Sequence, residues 1–233
     1  MKGLLITLVV LLGLAVVADR VAVGIAEDQV AEQMASKGGL AGTPSVDIAG
    51  FPFLTQAFAG NYEDVRISLT AHDLGQPAGT RADVRLHGVH VPLKSVLSGS
   101  VSEVPVDRID GTATLSYELL AAQLGGDTTL RREGDGLRIT KTVEIAGYTL
   151  PLTAAGTVTL DGDDLVVDVQ KASGAGVDVP GVLVDRVSDL LDLRYTVPAL
   201  PFGLKLTSVT PADDGVILGL QATDTVLKAT AAE

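Results

Sequence analysis

The fold class follows from residues 150–169, which read LPLTAAGTVTLDGDDLVVDV. Apolar residues occupy most even positions from Leu150 to Leu160, and this period of two is typical of a half-buried β-strand. The acidic turn at residues 161–164 interrupts the pattern, after which apolar residues return at alternate positions as far as Val169. The stretch therefore predicts a β-hairpin with one apolar face.

Alternating segments recur along the rest of the chain. They lie at residues 65–69, 84–93, 109–115, 137–145, 204–209 and 216–222. Within the second segment the apolar positions change from even to odd at Gly88, which indicates a β-bulge. In the fourth segment Lys141 interrupts an otherwise apolar face. Strands with one apolar face need a cover, so we expect helices to pack against the sheet.

Two segments predict amphipathic helices that can supply this cover. The first spans residues 19–37 and ends at Gly38 and Gly39. Its apolar residues at helical spacing are Val23, Ala26, Val30 and Met34. The second begins near Asp178, and its apolar residues are Leu183, Val187, Leu190 and Leu191. Together these patterns predict an α+β fold in which a long curved antiparallel sheet wraps around one or two amphipathic helices.

Residues 3–18 form an unbroken apolar run that ends at Asp19. At about 1.5 Å per residue the run reaches roughly 24 Å, less than the ~30 Å hydrocarbon core, which favours a signal peptide cleaved after Ala18. A retained membrane anchor stays equally open, because residues 21–25 extend the apolar stretch if Arg20 snorkels. Both interpretations place the rest of the chain outside the cytoplasm.

The composition narrows the functional classes. The formal net charge is −12, whereas nucleic-acid binding and broad adsorption to anionic lipid both need clustered Lys and Arg. Cysteine is absent, so an exported chain of this sequence has neither a disulfide framework nor a lipid-modified cysteine. Aromatic residues make up only 3% of the chain. An interior built from Val, Leu and Ala suits hydrocarbon better than bases or sugars.

Signatures of catalysis are mostly missing. The chain has no Gly-x-Ser-x-Gly nucleophile motif and no cysteine nucleophile. His87 and His90 flank Gly88, and a bulge there would bring both to one side, so a weak metal site or a hydrolase that uses these histidines is an open alternative. A solvated strand face explains the same residues more simply. We therefore expect a non-enzymatic protein without a cofactor or metal.

The segment that precedes these strands resembles a known family. Residues 46–56 read VDIAGFPFLTQ and residues 60–66 read GNYEDVR, and together they resemble the opening signature of the LmeA-like family of exported actinobacterial proteins. The resemblance implies binding of phospholipids, including phosphatidylinositol-type lipids, in the cell envelope. It also implies a tubular lipid-binding fold of the BPI/SMP-like kind, and partners among the proteins of envelope glycolipid synthesis. Its most specific part is the Gly-Phe-Pro-Phe-Leu-Thr segment.

The residue patterns, together with the resemblance, suggest roles for segments and side chains. Residues 1–18 are a signal peptide or anchor, 19–44 an amphipathic helix and linker, 45–228 a lipid-binding domain, and 229–233 a tail. The candidate contacts to acyl chains, some of which would otherwise simply fill the core, are Phe51, Phe53, Leu54, Phe58, Val65, Ile67, Leu69, Leu183 and Val187. The candidate headgroup contacts, which could instead belong to exposed loops, are Arg131, Arg132 and Lys141, because Arg and Lys bind phosphate oxygens.

Two functions stay open at this point. The first is a non-enzymatic protein that binds or shuttles phospholipid at the outer face of the cytoplasmic membrane and holds acyl chains in an aliphatic cavity. The second is a structural module that scaffolds envelope enzymes through an exposed sheet edge. A continuous apolar tunnel would favour the first function, and a filled interior would favour the second.

Overall fold

The computed structural model describes most of the chain. The described residues are 2–97, 101, 103–125, 127–145, 148–162, 164–174, 177–178, 194–196 and 203–228. The predicted helix that carries Leu183 and Val187 and the predicted tail at residues 229–233 lie outside them. The chain divides into two compact units. Unit 1 comprises Met1–Leu69, Asp83–Asp110 and Ala222–Glu233, and unit 2 comprises Thr70–Ala82 and Gly111–Gln221.

The predicted α+β class with a long antiparallel sheet is confirmed. The described helices are α1 (Lys2–Lys37), α2 (Phe53–Ala59), α3 (Ala71–Leu74), α4 (Leu93–Leu97) and α5 (Tyr117–Leu124). The described strands are β1 (Ser45–Ala49), β2 (Asn61–Leu69), β3 (Arg81–His90), β4 (Glu103–Ser116), β5 (Thr128–Glu133), β6 (Gly136–Ile145), β7 (Tyr148–Asp161), β8 (Asp164–Gly174), β9 (Val177–Asp178), β10 (Arg194–Thr196), β11 (Lys205–Pro211) and β12 (Gly215–Lys228). One sheet has the order β1-β2-β3-β4-β12-β11, and the other has the order β10-β8-β7-β6-β5 with β9 beside β8.

In unit 1 the apolar leader and the first predicted amphipathic helix form one helix, α1. It ends at Lys37 as predicted, where the Gly38 N–H donates to the Met34 carbonyl at 2.8 Å. The predicted apolar face is partly wrong, because Val30 is 37% exposed. The buried residues of α1 are instead Asp19, Val23 and Ala31.

The core of unit 1 forms where β1 and β2 pair. Val46 lies opposite Ile67, and Ile48 lies opposite Val65, and all four side chains are buried. Cross-strand partners share a face, so these four residues build one apolar surface. The predicted alternation of Val65 and Ile67 is therefore confirmed.

The predicted change of phase in β3 is also confirmed. Leu86 and Val89 are both buried although they are three residues apart. Gly88 between them has a φ of 62°, a left-handed conformation that favours glycine. A Cβ at this position would also overlap the Asp107 carboxylate. The buried positions of β3 thus change from even to odd at Gly88.

In unit 2 the hairpin predicted from residues 150–169 is present as β7 and β8. Their register shifts beside Gly156, which leaves Gln170 as an extra residue on β8. On one sheet face a first cluster contains Ile139, Leu152, Ala154 and Ala172. A second cluster joins sheet residues to α5 and β12 and contains Leu120, Leu137, Leu165, Val216 and Leu218. Ser116 caps the N-terminus of α5, since its hydroxyl accepts the Leu119 N–H at 3.2 Å.

Candidate functional site

The apolar leader is exposed along its length in α1. Its large apolar side chains from Leu4 to Val17 are all exposed. By length and composition this helix is able to cross a membrane. A run of apolar side chains that the protein does not cover requires either a membrane or removal, so the helix suits a signal peptide or an anchor.

Asp19 fixes α1 to the folded part of unit 1 at the residue where the apolar run ends. Its side chain is almost fully buried, with 2% of the residue exposed. One carboxylate oxygen accepts the Leu54 N–H at 2.8 Å, and the other accepts a hydrogen bond from Arg20 at 2.7 Å. Arg20 also lies over the Phe51 ring, 5.2 Å from its centroid, within cation–π range. These contacts of Asp19 and Arg20, called the Asp19 joint below, therefore link the leader to the Gly-Phe-Pro-Phe-Leu-Thr segment.

The structure separates the aromatic candidates into a core residue and two surface residues. Phe53 is 5% exposed, and its ring centroid lies 6.1 Å from that of Tyr62. Phe51 is 63% exposed and Phe58 is 78% exposed, although both are large and apolar. Leu54, which lies between these two residues in the sequence, is half-buried. Phe53 thus serves as a core residue, while Phe51 and Phe58 are free to contact an apolar surface.

Three of the remaining acyl-chain candidates lie in or beside the core of unit 1. Val65 and Ile67 are buried in the surface shared by β1 and β2, and Leu69 at the end of β2 is half-buried. Leu183 and Val187 lie outside the described residues. A role of these residues in lipid contact stays a prediction.

The arginine candidates lie on β5 rather than in a loop, and neighbouring positions on a strand point to opposite faces. Arg132 donates to Asp213 at 3.1 Å. Arg131 lies opposite Arg138 in the register, and Arg138 holds Glu133 through two hydrogen bonds, one of them 2.7 Å long. The hydrogen bonds from Arg138 lower the pKa of Glu133. Two of these three arginines are thus already neutralised by carboxylates.

An open pocket of about 440 Å³ lies on the sheet face that carries Arg138. Its lining is mixed, with side chains that include Thr153, Thr157, Gln170 and Lys171. The bulge at Gln170 places two successive polar residues of β8 in this lining. The pocket differs from the aliphatic tunnel expected from the sequence, which stays a prediction.

Lys141 lies on β6, where the register places it opposite both Thr128 of β5 and Leu152 of β7. Cross-strand partners share a face, so Lys141 belongs to the apolar side of the sheet. The side chain is half-buried. The predicted interruption of an apolar face by a lysine is therefore confirmed, and Thr128 is a polar neighbour that sequence reasoning missed.

The two histidines of the alternative metal site are held apart by different partners. His87 lies 3.2 Å from a carboxylate oxygen of Asp110, and His90 lies 2.9 Å from one of Asp107. Within the described part of the chain, no group of three or more His, Cys, Asp or Glu side chains could hold a metal ion. These histidines form separate pairs with carboxylates on the strands of unit 1.

The comparisons with known proteins give one match. The model of a family described as LmeA-like phospholipid-binding matches residues 17–221. The matched region begins at the end of the apolar run and includes the Asp19 joint. No curated protein and no solved structure matches the chain.

Proposed function

The chain belongs to the LmeA-like phospholipid-binding family, and we propose that it binds phosphatidylinositol-type phospholipid at the outer face of the cytoplasmic membrane without catalysing a reaction. The observation that carries this proposal is the family match, which covers residues 17–221 of the 233 in the chain. The family description supports lipid binding. The membrane location, the lipid class and the absence of catalysis are our proposals.

Attachment to the membrane is supported by the exposed apolar part of α1. A net charge of −12 disfavours electrostatic adsorption to an anionic bilayer, so attachment must be apolar. Lys2 precedes the apolar run and favours a cytoplasmic N-terminus under the positive-inside rule. With that orientation, the sheets lie outside the cytoplasm. Arg20 and Phe51 then lie at the membrane boundary, where aromatic and cationic side chains are favoured.

Binding of acyl chains is supported by the aliphatic face of the sheet in unit 2. The first cluster contains no aromatic ring, and Leu130, Val167 and Val169 pack against it. Each methylene removed from water is worth about 0.8 kcal/mol, and a lipid in a bilayer already has this stabilisation. A binding protein therefore only has to match the bilayer, which an aliphatic surface does without strong polar contacts.

A binding role without catalysis is supported by the side chains available for chemistry. The chain has no cysteine, and His87 and His90 each lie beside a different aspartate. By resemblance to its family, we propose a role in envelope lipid and glycolipid metabolism, with proteins of glycolipid synthesis as partners.

Native mass spectrometry of the full chain, extracted in mild detergent from its host membranes, tests the proposal. We expect phospholipid bound at a fixed ratio that survives exchange into lipid-free detergent, and enriched in inositol lipids relative to the membrane extract. A matched control is an unrelated protein with a single membrane helix, carried through the same procedure. Folded protein that is repeatedly lipid-free would contradict the proposal and favour a scaffolding module.

A further inference from the structure

The apolar face of the sheet in unit 2 contains one polar pair that its surroundings do not satisfy. Thr128 at the start of β5 is 6% exposed, and its hydroxyl has no hydrogen-bond partner among the described residues. Lys141 lies directly opposite on β6 and has no carboxylate within 4.0 Å in the described part of the chain. A buried hydroxyl without a partner is costly and rare in native proteins. The pair therefore indicates a ligand that supplies the missing acceptor.

The surroundings of this pair on its sheet face are aliphatic. Leu130 and Ile139 form the next rung on the same face, and Leu152 lies on the other side of Lys141. These residues belong to or pack against the first aliphatic cluster. The polar pair thus ends an aliphatic strip that the protein itself buries, since Ile139 is 1% exposed and Leu152 is 7% exposed. A ligand therefore reaches the pair from the side of Lys141, which is half-buried.

The charge of the pair defines the polar end of the ligand. A lysine ammonium group only donates hydrogen bonds, and a threonine hydroxyl can donate one as well. An anionic oxygen would accept from both groups and neutralise the lysine. The neighbouring Asp127 is exposed, and its backbone carbonyl accepts the Thr142 N–H at 3.3 Å. Its carboxylate forms no ion pair with Lys141 within 4.0 Å.

We propose that Thr128 and Lys141 bind the phosphate group of a phospholipid. The assignment of the anion to a phospholipid rests on the proposed function. Phosphate oxygens from a lipid headgroup or from free inorganic phosphate offer the same acceptors, and the experiment below distinguishes these two sources. Among the three headgroup candidates, the proposal selects Lys141, because Arg132 already binds Asp213 and Arg131 lies on the other sheet face, opposite Arg138.

Three variants of the full chain test the site. Lys141→Gln removes the charge, and Thr128→Val removes the hydroxyl while conserving the shape of the side chain. Lys171→Gln is the matched control, because Lys171 lines the pocket on the polar face of the same sheet. Each protein is purified in detergent, stripped of lipid and incubated with phosphatidylinositol in mixed micelles or with inorganic phosphate alone.

We expect both site variants to bind phosphatidylinositol about tenfold or more weakly than the wild type, since each loses a hydrogen bond to a charged group. The control should bind like the wild type. Lipid-free Thr128→Val should also unfold at a higher temperature than the wild type, because it no longer buries an unpaired hydroxyl. A residue with only a structural role would not raise stability and lower lipid affinity together.

Three results would overturn the site. If the site variants bind the lipid as tightly as the wild type, Thr128 and Lys141 do not contact it. Equal losses in the Lys171→Gln control would indicate nonspecific charge effects. Stabilisation of the wild type by inorganic phosphate alone, with unchanged lipid affinity in the variants, would assign the site to free phosphate. A wild type that binds no phospholipid contradicts the proposed function itself, and this outcome is distinct from the other three.

Discussion

Replacement of Phe51 by tryptophan should report the position of unit 1 relative to the membrane. The chain contains no tryptophan, so Phe51→Trp introduces a single tryptophan whose emission can be excited selectively over the four tyrosines. Phe51 is 63% exposed, so the larger ring fits without repacking of the core. Tryptophan is also the best partner for the cation–π contact with Arg20, and the joint at Asp19 should be preserved.

The expected depth follows from the geometry of α1. The apolar run ends at Asp19, and the contact with Arg20 holds the Phe51 ring beside this point of the helix. The headgroup region on each side of a bilayer is about 5–8 Å thick. Gln33 is exposed on the same helix and lies about 21 Å beyond Asp19 at a rise of about 1.5 Å per residue. Gln33→Trp therefore reports a position clear of the bilayer when the helix stands upright.

The assay uses the two single-tryptophan proteins in vesicles that contain phospholipid brominated at different depths. We expect the emission of Phe51→Trp to shift to shorter wavelength and to be quenched most by bromine near the headgroups. Gln33→Trp should emit as in water and be quenched little. Equal quenching of the two fluorophores would refute the assignment of Phe51 to the interface, and a protein partner would then be the better occupant of the exposed phenylalanines.

Two further predictions concern carboxylates that accept hydrogen bonds from backbone N–H groups. Asp19→Ala removes the acceptor of the Leu54 N–H, so amide exchange at Phe53 and Leu54 should accelerate about tenfold, whereas Asp19→Asn keeps an acceptor oxygen and should change exchange less; equal exchange rates in all three proteins would contradict the joint. The backbone N–H and hydroxyl of Thr70 hold the pKa of Asp73 below its ordinary value of 3.8, so its stabilisation is complete above that value and is lost as the pH falls through the lowered pKa. Denaturant unfolding measured from pH 5 down over about 3 pH units should show the free energy of unfolding falling more steeply in the wild type than in Asp73→Ala. Parallel curves for the two proteins would show that Asp73 does not contribute.

The strands with strong alternation could be predicted from the sequence, and the strand that carries half of the proposed site could not. The hairpin of β7 and β8 and the phase change at Gly88 follow from which positions are apolar. Strand β5 has the sequence TTLRRE, in which Leu130 is the only apolar residue, so no period is visible. Its place in the sheet comes from pairing with β6. Lys141 was recognisable as an exception on an apolar strand, but its partner Thr128 needed the register.

The buried face of α1 shows why apolar spacing alone misplaces a helix. Apolar spacing predicts that Val23 and Val30, which are seven residues apart, share the buried face of α1. The residues that are buried are instead Asp19, Val23 and Ala31. The buried face of α1 includes carboxylates because they accept hydrogen bonds from backbone N–H groups of other elements. The Glu27 carboxylate accepts the Ile48 N–H at 2.8 Å, as Asp19 accepts that of Leu54. A count of apolar residues cannot detect a helix face that uses acids to fix neighbouring backbone.

These two carboxylates also separate the stability of unit 1 from its proposed attachment to the membrane. Asp19 and Glu27 are eight residues apart, about 12 Å along α1, and each binds the backbone of a different element. The contacts that fix the helix thus begin at the first residue after the apolar run. The apolar side chains from Leu4 to Val17 are exposed and add no packing to the core. Under the proposed attachment, retention of the leader therefore sets where unit 1 lies relative to the membrane. Cleavage after Ala18 would leave both carboxylate contacts in place.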